Sequence, residues 1–320
     1  MFGTRPLVKS IVVAMVLGSL AATPASATYQ GDNGRLAFAI VISGNADIYS
    51  VLPNGHDLRR LTNSPAFDAC PAYSRDGQQI AFCSNRSGAS EIWTMNRKGE
   101  DQRQLTHLGG SAIFPDYSPD GTKVAFGGRE PVTTSDEIYV VDAATGGNLT
   151  ALTSCAGFGP GCFNEFPAWS PAGTQLVFIH ADDRDVNGTP VNEQVWVMAA
   201  DGSNKTQLTF DPVGHDQVPD WSPDGTKIAY EDGNFGSARI FVMNADGTGQ
   251  HQLTFGPFND IGPAWSPDGT QIAFVHDVGL PDRSVVVMNA DGSDVHAVHP
   301  AGRELVPAWQ PLGGGDTNEP

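Results

Sequence analysis

Three residues that could act in acid–base chemistry or bind a metal recur at one position of a repeated phrase. His180, Asp232 and His276 each lie two residues after the aromatic residue of an apolar run. The earlier copies of this run carry other residues there: Ile40, Ser84 and Gly128. Two imidazoles and a carboxylate at one level could bind a transition metal or act as general acid and base. The alternative is that the three side chains lie too far apart to share one ion.

A polar insertion has the composition of a calcium loop. Residues 182–193 read DDRDVNGTPVNE. Alternating oxygen-bearing side chains followed by a glycine bend are typical of loops that bind Ca²⁺. The predicted ligands are Asp183, Asp185, Asn187 and Glu193. Glu193 takes the place of the closing carboxylate, although one residue short of its position in helix-flanked calcium loops. A solvated polar loop without an ion is the alternative.

A row of acidic residues precedes the proline of each repeat. Three positions before that proline lie Asp68, Asp216, Asp260 and Glu304, with Ala112 and Asn164 in the other two repeats. Glu165 follows Asn164 and adds a further carboxylate. We expect the acidic side chains of this row to rim one end of the fold. The pattern favours capping of backbone groups as their role, and a binding face formed by these side chains is the alternative.

The four cysteines form two close pairs in the sequence, Cys70 with Cys83 and Cys155 with Cys162. An even number of cysteines paired so locally, behind a secretory leader, favours disulfides over a metal site or a catalytic thiol. The sequence therefore predicts two disulfides.

A repeat of 43 to 52 residues positions all of these side chains. Residues 219–230 read PDWSPDGTKIAY and residues 263–274 read PAWSPDGTQIAF. Each unit contains four short runs rich in Val, Ile, Phe, Tyr and Trp, and turn residues bound each run, so each run is predicted to be a strand. Four short strands in such a unit are typical of a β-propeller blade.

The ends of the repeat array predict how the ring closes. The chain starts with a second strand at 35–40 and ends with a first strand at 306–310, so the two together complete one blade. We therefore predict an all-β, six-bladed propeller with four antiparallel strands per blade, in which the C-terminal strand completes blade one and leaves no open edge. In blade two, this register places Ala72 opposite Ala81 and Cys70 opposite Cys83.

Two glycine-containing phrases predict the turns. Ser-Pro-Asp-Gly suits a tight turn between the first and second strands, because proline presets φ and glycine accepts the positive φ that follows. Asn-Ala-Asp-Gly, at 244–247 and 289–292, suits the turn between the third and fourth strands. Neither phrase needs a ligand to explain it.

The composition and the N-terminal sequence indicate where the protein is located and which classes of partner are disfavoured. Residues 1–27 have a basic start, an apolar run and Ala-Ser-Ala, and so read as a secretory signal peptide. We expect a short lead-in at 28–33, the propeller at 34–311 and a flexible tail at 312–320. The formal net charge is -18, which disfavours nucleic acid and anionic lipid as partners. A soluble, extracytoplasmic monomer without membrane insertion is expected.

The repeated motifs resemble those of the TolB-like family of six-bladed propellers. The resemblance rests on PAWSPDGTxIAF, on IxVMNADG, and on QLT at 104–106, 207–209 and 252–254, and it covers roughly residues 34–311. In this family the repeat occurs in periplasmic proteins that bind partner proteins, beside serine peptidases, and in some polysaccharide lyases. No segment that could form the small N-terminal domain of TolB is evident after Ala27. No G-x-S-x-G nucleophile motif occurs, so serine hydrolase chemistry is not expected.

Two functions of different classes follow as hypotheses. The first is a secreted, non-enzymatic scaffold whose loop-rich acidic face binds another extracytoplasmic protein or a cell-envelope polymer. The second is a metal-dependent lyase or hydrolase of carbohydrate with His180, Asp232 and His276 at its site. A purely structural calcium-stabilised module is a third possibility. Geometry separates the first two, because a catalytic group requires the three side chains to meet in one pocket.

Overall fold

The computed structural model of the chain describes residues 31–156, 162–184, 190–211, 215–233, 237–278, 283–299 and 304–312. All regular elements in these residues are β-strands, and no helix occurs among them. The described strands form six antiparallel sheets of four strands and one two-stranded hairpin. The predicted fold class, an all-β propeller of six blades, is confirmed.

The blades follow one another along the chain, and blades two to six each begin at their inner strand. Blade one starts with β1 (Asp32–Ile42), β2 (Asn45–Val51) and β3 (Arg59–Arg60). Blade two contains β4 (Asp68–Tyr73), β5 (Gln79–Ser84), β6 (Glu91–Asn96) and β7 (Arg103–Gln104). Blade three contains β8 (Ser111–Tyr117), β9 (Lys123–Arg129), β10 (Glu137–Asp142) and β11 (Thr150–Ala151).

The second half of the ring repeats this order with one insertion. Blade four contains β12 (Phe163–Trp169) and β13 (Gln175–Ala181), then the hairpin β14 (Asp183–Arg184) and β15 (Pro190–Val191), then β16 (Gln194–Ala199) and β17 (Thr206–Gln207). Blade five contains β18 (Asp216–Trp221), β19 (Lys227–Asp232), β20 (Arg239–Asn244) and β21 (His251–Gln252). Blade six contains β22 (Asn259–Trp265), β23 (Gln271–Asp277), β24 (Arg283–Asn289) and β25 (His296–Ala297).

The last strand closes the ring as the sequence predicted. β26 (Glu304–Leu312) pairs antiparallel with β1 and gives blade one its inner strand, with Ala308 opposite Ala37. β26 also contacts β22 and β4, the inner strands of blades six and two. The paired strands begin at Asp32 and end at Leu312, slightly beyond the predicted range of 34–311. The ring of inner strands is therefore continuous.

A bulge in the inner strand corrects the predicted register of blade two. Ala72 lies opposite Ala81 as expected, but the residue opposite Cys83 is Ala69, with a register shift between Ala69 and Ala72. Cys70 has a positive φ of 53° and precedes a proline, which lacks the N–H that a regular ladder needs. The Cys70–Cys83 disulfide forms nevertheless, from this bulged position, and the Cys155–Cys162 disulfide also forms.

The turns that join first to second and third to fourth strands share one end of the ring, which we call the turn face. In blade three, the Gly121 N–H donates to the Ser118 carbonyl (2.8 Å), and the Ser118 hydroxyl donates to the Asp120 carboxylate (2.6 Å). The hydrogen bond from Ser118 holds the pKa of Asp120 below its usual range. This geometry agrees with the tight turn predicted from Ser-Pro-Asp-Gly.

The turns between third and fourth strands also pack one blade against the next. Gly146 in blade three has a φ of 69°, and a methyl group on its Cα would overlap the carbonyl oxygen of Leu105 in blade two. Gly55 of blade one meets Val298 of blade six in the same way. Glycine is required here both for the positive φ and for the close approach of the neighbouring blade.

One aromatic residue per blade fills the inner core. These residues are all at most 5% exposed, and they are Tyr73, Tyr117, Trp169, Trp221, Trp265 and Trp309. Packing of this kind gives adjacent sheets a common apolar interior. Among the described residues, no helix is long and apolar enough to cross a membrane.

Candidate functional site

The end of the ring opposite the turn face carries the connections between blades and between second and third strands; we call it the loop face. The two polar rows identified in the sequence meet there as cross-strand pairs, one pair in each blade. The pairs are Glu304 with Ile40, Asp68 with Ser84, Ala112 with Gly128, Asn164 with His180, Asp216 with Asp232 and Asp260 with His276. The rows are thus one ring of pairs rather than two independent sites.

Each candidate catalytic side chain is paired inside its own blade. His180 makes hydrogen bonds through Nδ1 to Asn164 (2.9 Å) and through Nε2 to Asp182 (2.8 Å). The Nδ1 atom of His276 lies 2.6 Å from Asp260 Oδ1. In the described part of the chain, no group of three His, Cys, Asp or Glu side chains could hold a metal ion. The geometry does not favour one shared site for His180, Asp232 and His276.

Blade two neutralises its inner-strand carboxylate. Asp68 is fully buried, accepts a hydrogen bond from the Ser84 hydroxyl (2.6 Å) and forms an ion pair with Arg86 (2.6 Å). The Arg86 guanidinium also lies over the ring of Trp93, 4.7 Å from the ring centroid. A buried carboxylate with a cation and a hydroxyl partner is a structural arrangement.

Blade five places two carboxyl groups against each other at the same position. Asp216 is 2% exposed, lies opposite Asp232, and shares a side-chain hydrogen bond with it. Burial, opposed by a hydrogen bond from Thr209 and reinforced by the charges of Asp232 and Asp211, raises the pKa of Asp216 to about 7. Burial also raises the pKa of Asp232. Two close carboxyl groups cannot both ionise cheaply, so this pair holds a proton near neutral pH.

A second acidic group lies between blades four and five. The Glu193 carboxylate, 3% exposed, accepts hydrogen bonds from His215 (2.9 Å) and from the Gln217 amide. The hydrogen bond to Glu193 raises the pKa of His215. Burial raises the pKa of Glu231 to about 8, although the Gly262 N–H donates to it (2.8 Å). This side of the loop face therefore titrates near neutrality.

The calcium loop lies mostly outside the described residues. Glu193 is turned toward His215 and Gln217 of blade five. Asp185 and Asn187 fall outside the described residues, and of Asp183 only the backbone is described, in the hairpin strand that pairs with Val191. The calcium site thus stays a prediction.

The remaining predicted face residues occupy separate positions. Glu165 is half-buried in β12, next to Gly127 of blade three, and Asp260 is 4% exposed beside His276. Glu304 lies opposite Ile40 in the register of blade one. Asp68, Asp216 and Asp260 are each at most 4% exposed and bond to neighbouring side chains, so these three carboxyl groups are buried and do not form an exposed rim.

In blades two and five, a residue at the start of the third strand holds the connection to the next blade. In blade two, the Glu91 carboxylate accepts hydrogen bonds from the Thr106 hydroxyl (2.6 Å) and from the N–H groups of Leu108 (3.1 Å) and Gly109 (2.7 Å). In blade five, Arg239 occupies this place and its guanidinium donates to the carbonyl groups of Gly256 and Phe258. The threonine of the Leu-Thr phrase takes part in this contact in blade two, through Thr106.

Sequence reasoning missed three exposed aromatic residues on these connections. Phe210 is 72% exposed, Phe255 is 77% exposed and Phe258 is 42% exposed. Phe210 and Phe255 each follow a Leu-Thr phrase, where the other repeats place Asn63, His107 and Ser154. A phenylalanine in place of a polar residue at this loop position was the available signal. The Leu-Thr phrase is buried, whereas the residue that follows the phrase is not.

Six blades closed by the last strand, with polar pairs and variable connections at one end, define a β-propeller. The chain belongs to the TolB β-propeller domain family, whose PD40 model matches residues 12–211 and 133–314. The predicted resemblance is confirmed.

Solved structures show the same fold at low sequence identity. TolB from Acinetobacter baumannii is 21% identical, with a TM-score of 0.71 over 87% of this chain and 67% of that one. A putative TolB from Agrobacterium tumefaciens is 20% identical, with a TM-score of 0.66 over 87% of this chain and 92% of that one. Hydrazine synthase from Kuenenia stuttgartiensis is 15% identical, with a TM-score of 0.70 over 88% of this chain and 47% of that one. No curated protein sequence matches the chain significantly.

Proposed function

We propose that this protein is a secreted, non-enzymatic propeller that binds another extracytoplasmic protein or a cell-envelope polymer through its loop face. The observation that carries the proposal is the uneven distribution of exposed large hydrophobic residues in the described parts of the chain. Six of them lie on the loop face: Ile42, Val132, Phe210, Phe255, Phe258 and Val278. The turn face has three: Leu58, Leu149 and Val295. Exposed apolar side chains gathered on one surface are typical of interaction sites.

The pairing of polar side chains supports a binding role over catalysis. His180 and His276 are each held by an inner-strand residue of their own blade. A general acid or base must reach a substrate atom, and a metal site needs converging ligands. The alternative of a metal-dependent carbohydrate lyase or hydrolase therefore has less support from the geometry.

An extracytoplasmic location agrees with the cysteine chemistry. All four cysteines form disulfides, Cys70 with Cys83 and Cys155 with Cys162. Such bonds persist in oxidising compartments and are rare in the cytosol. The signal peptide at residues 1–27 lies outside the described residues and remains part of the proposal.

Photo-crosslinking at matched exposed positions of the two faces tests the proposal. A benzoylphenylalanine replaces Phe255 or Val132 on the loop face, and Leu149 or Val295 on the turn face, in the protein expressed in its natural host. Illumination should give discrete cross-linked species from the loop-face positions and none from the turn-face positions. Absence of cross-links at all four positions, or equal cross-linking from both faces, would contradict the proposed function.

A further inference from the structure

Two successive connections present the exposed phenylalanines. Phe210 follows Thr209 between blades four and five, and Phe255 follows Thr254 between blades five and six. The Thr209 and Thr254 hydroxyls accept hydrogen bonds from the N–H groups of Val195 and Ile240, the second residues of the third strands of their own blades, at 2.9 and 3.0 Å. Phe210 and Phe255 therefore occupy the same place in adjacent repeats. Together with Phe258, we call them the phenylalanine patch.

The backbone beneath the patch is held in place. The Arg239 guanidinium donates to the carbonyl groups of Gly256 and Phe258, which brackets the second connection. The Gln194 amide donates to the Asp211 carbonyl (2.8 Å) and fixes the first connection. A surface that is already ordered loses little conformational entropy when a partner covers it.

The exposed ring of Phe258 continues into the polar row. Its ring centroid lies 5.7 Å from that of His276, in an edge-to-face arrangement. His276 in turn bonds to Asp260. Apolar and acidic groups are thus adjacent on the same surface.

The charge around the patch is negative. Asp182 is exposed, and Asp211 and Asp232 are half-buried. Among the described side chains on the loop face of blades four to six, the arginines are both engaged: Arg239 with carbonyl groups and Arg283 with Asp277 (2.9 Å). Within the described residues, a ligand that covers the phenylalanines would therefore meet carboxylates and no unengaged arginine, which favours a cationic partner.

We propose that the phenylalanine patch binds a segment of a partner protein that carries both basic and apolar side chains. This inference rests on the proposed function and names the chemistry of the partner. A second copy of the chain would bring the same negative charge to the contact, and an anionic lipid surface would be repelled for the same reason. A basic and apolar peptide segment matches both the exposed rings and the surrounding carboxylates.

Fluorescence anisotropy with short labelled peptides tests the inference on the full mature chain. The probe is a repeated Lys-Gly-Leu peptide, compared with Glu-Gly-Leu and Lys-Gly-Ser peptides of the same length. We expect the Lys-Gly-Leu peptide to bind more tightly than either comparison peptide, and its affinity to fall as salt screens the carboxylates. Phe210→Ala combined with Phe255→Ala should weaken binding at least about tenfold, because buried aromatic anchors carry most interface energy.

Leu149→Ala provides the matched control, since Leu149 is a 48% exposed apolar residue on the turn face. It should leave peptide affinity unchanged, and thermal melts of all variants should match, because the substituted side chains are exposed. Equal affinity of the double variant and the original chain would overturn the inference. So would equal binding of the Glu-Gly-Leu peptide, preferential binding to lipid vesicles, or dimerisation that the double variant abolishes.

The two proposals fail in different ways. Loop-face cross-links in the host without any binding of the Lys-Gly-Leu peptide would overturn the partner chemistry and leave the scaffold function standing. Absence of cross-links from both faces would contradict the scaffold function itself.

Discussion

The two faces of the ring differ in how far their residues vary from one blade to the next. On the turn face, Asn-Ala-Asp-Gly recurs because its glycine approaches the neighbouring blade closely, as the contact of Gly247 with Leu208 illustrates, and Ser-Pro-Asp-Gly recurs because it forms the tight turn between first and second strands. On the loop face, the equivalent position holds an ion pair in blade two, a carboxyl pair in blade five and a histidine with aspartate in blade six. Residue types can vary on the loop face because these positions do not require a glycine for close approach to the neighbouring blade. A binding site can therefore be formed from them.

On the turn face, the cost of a substitution should depend on how closely the turn approaches the neighbouring blade, and two glycines of blade three test this. Gly121 and Gly146 have the same φ of 69°, but a methyl group at Gly121 would meet nothing within 4 Å, whereas at Gly146 it would overlap the Leu105 carbonyl. Gly121→Ala should reduce the free energy of unfolding by about 1 kcal/mol, the cost of a left-handed residue. Gly146→Ala should reduce it by about 3 kcal/mol, because the clash adds to that cost.

Chemical denaturation of the two variants measures this difference. The midpoint should shift more for Gly146→Ala, with the slope of the transition unchanged. Equal losses in the two variants would mean that the close approach between blades two and three contributes little.

On the loop face, the carboxyl pair of blade five predicts a pH dependence of stability. Asp216 has a pKa of about 7 in the fold against an ordinary value of 3.8, so the folded state holds a proton that the unfolded chain releases. Stability should therefore fall as pH rises from about 4 to 7, and Glu231, with a pKa of about 8, extends the fall. The melting temperature should be higher at pH 5 than at pH 8.

Asp216→Asn isolates the contribution of the carboxyl pair. The amide can donate to Asp232 and still accept from Thr209, as a protonated Asp216 does, so the variant should lose part of the pH dependence. Its melting temperature at pH 8 should rise relative to the original chain by about 3 °C or more. Identical pH profiles for the two proteins would show that Asp216 is ionised in the fold at no cost.

The repeat made the fold predictable, and its departures made the site hard to predict. Blade number, closure by the last strand and the cysteine pairs follow from motif spacing, because each unit must supply the same strands. The bulge at Cys70 was missed because alternation alone cannot show that a residue before proline leaves the ladder. The pairing of Asp260 with His276 was missed for the same reason, because a register without the bulge sets Asp260 opposite Asp277.

Exposure was the other quantity that the sequence did not supply. Phe210 follows a buried Leu-Thr phrase and resembles a core residue by type, yet its side chain is 72% exposed. Only the fold shows that the chain leaves the blade at this residue.

The central claim is that the loop face of blades four to six is the binding surface. Hydrogen–deuterium exchange with and without the Lys-Gly-Leu peptide tests this claim most directly. Amides at 208–211 and 254–260 should exchange more slowly when the peptide is bound, while those in the turns at 245–248 and 290–293 should not change. Protection confined to the turn face, or protection nowhere in the ring, would contradict the account.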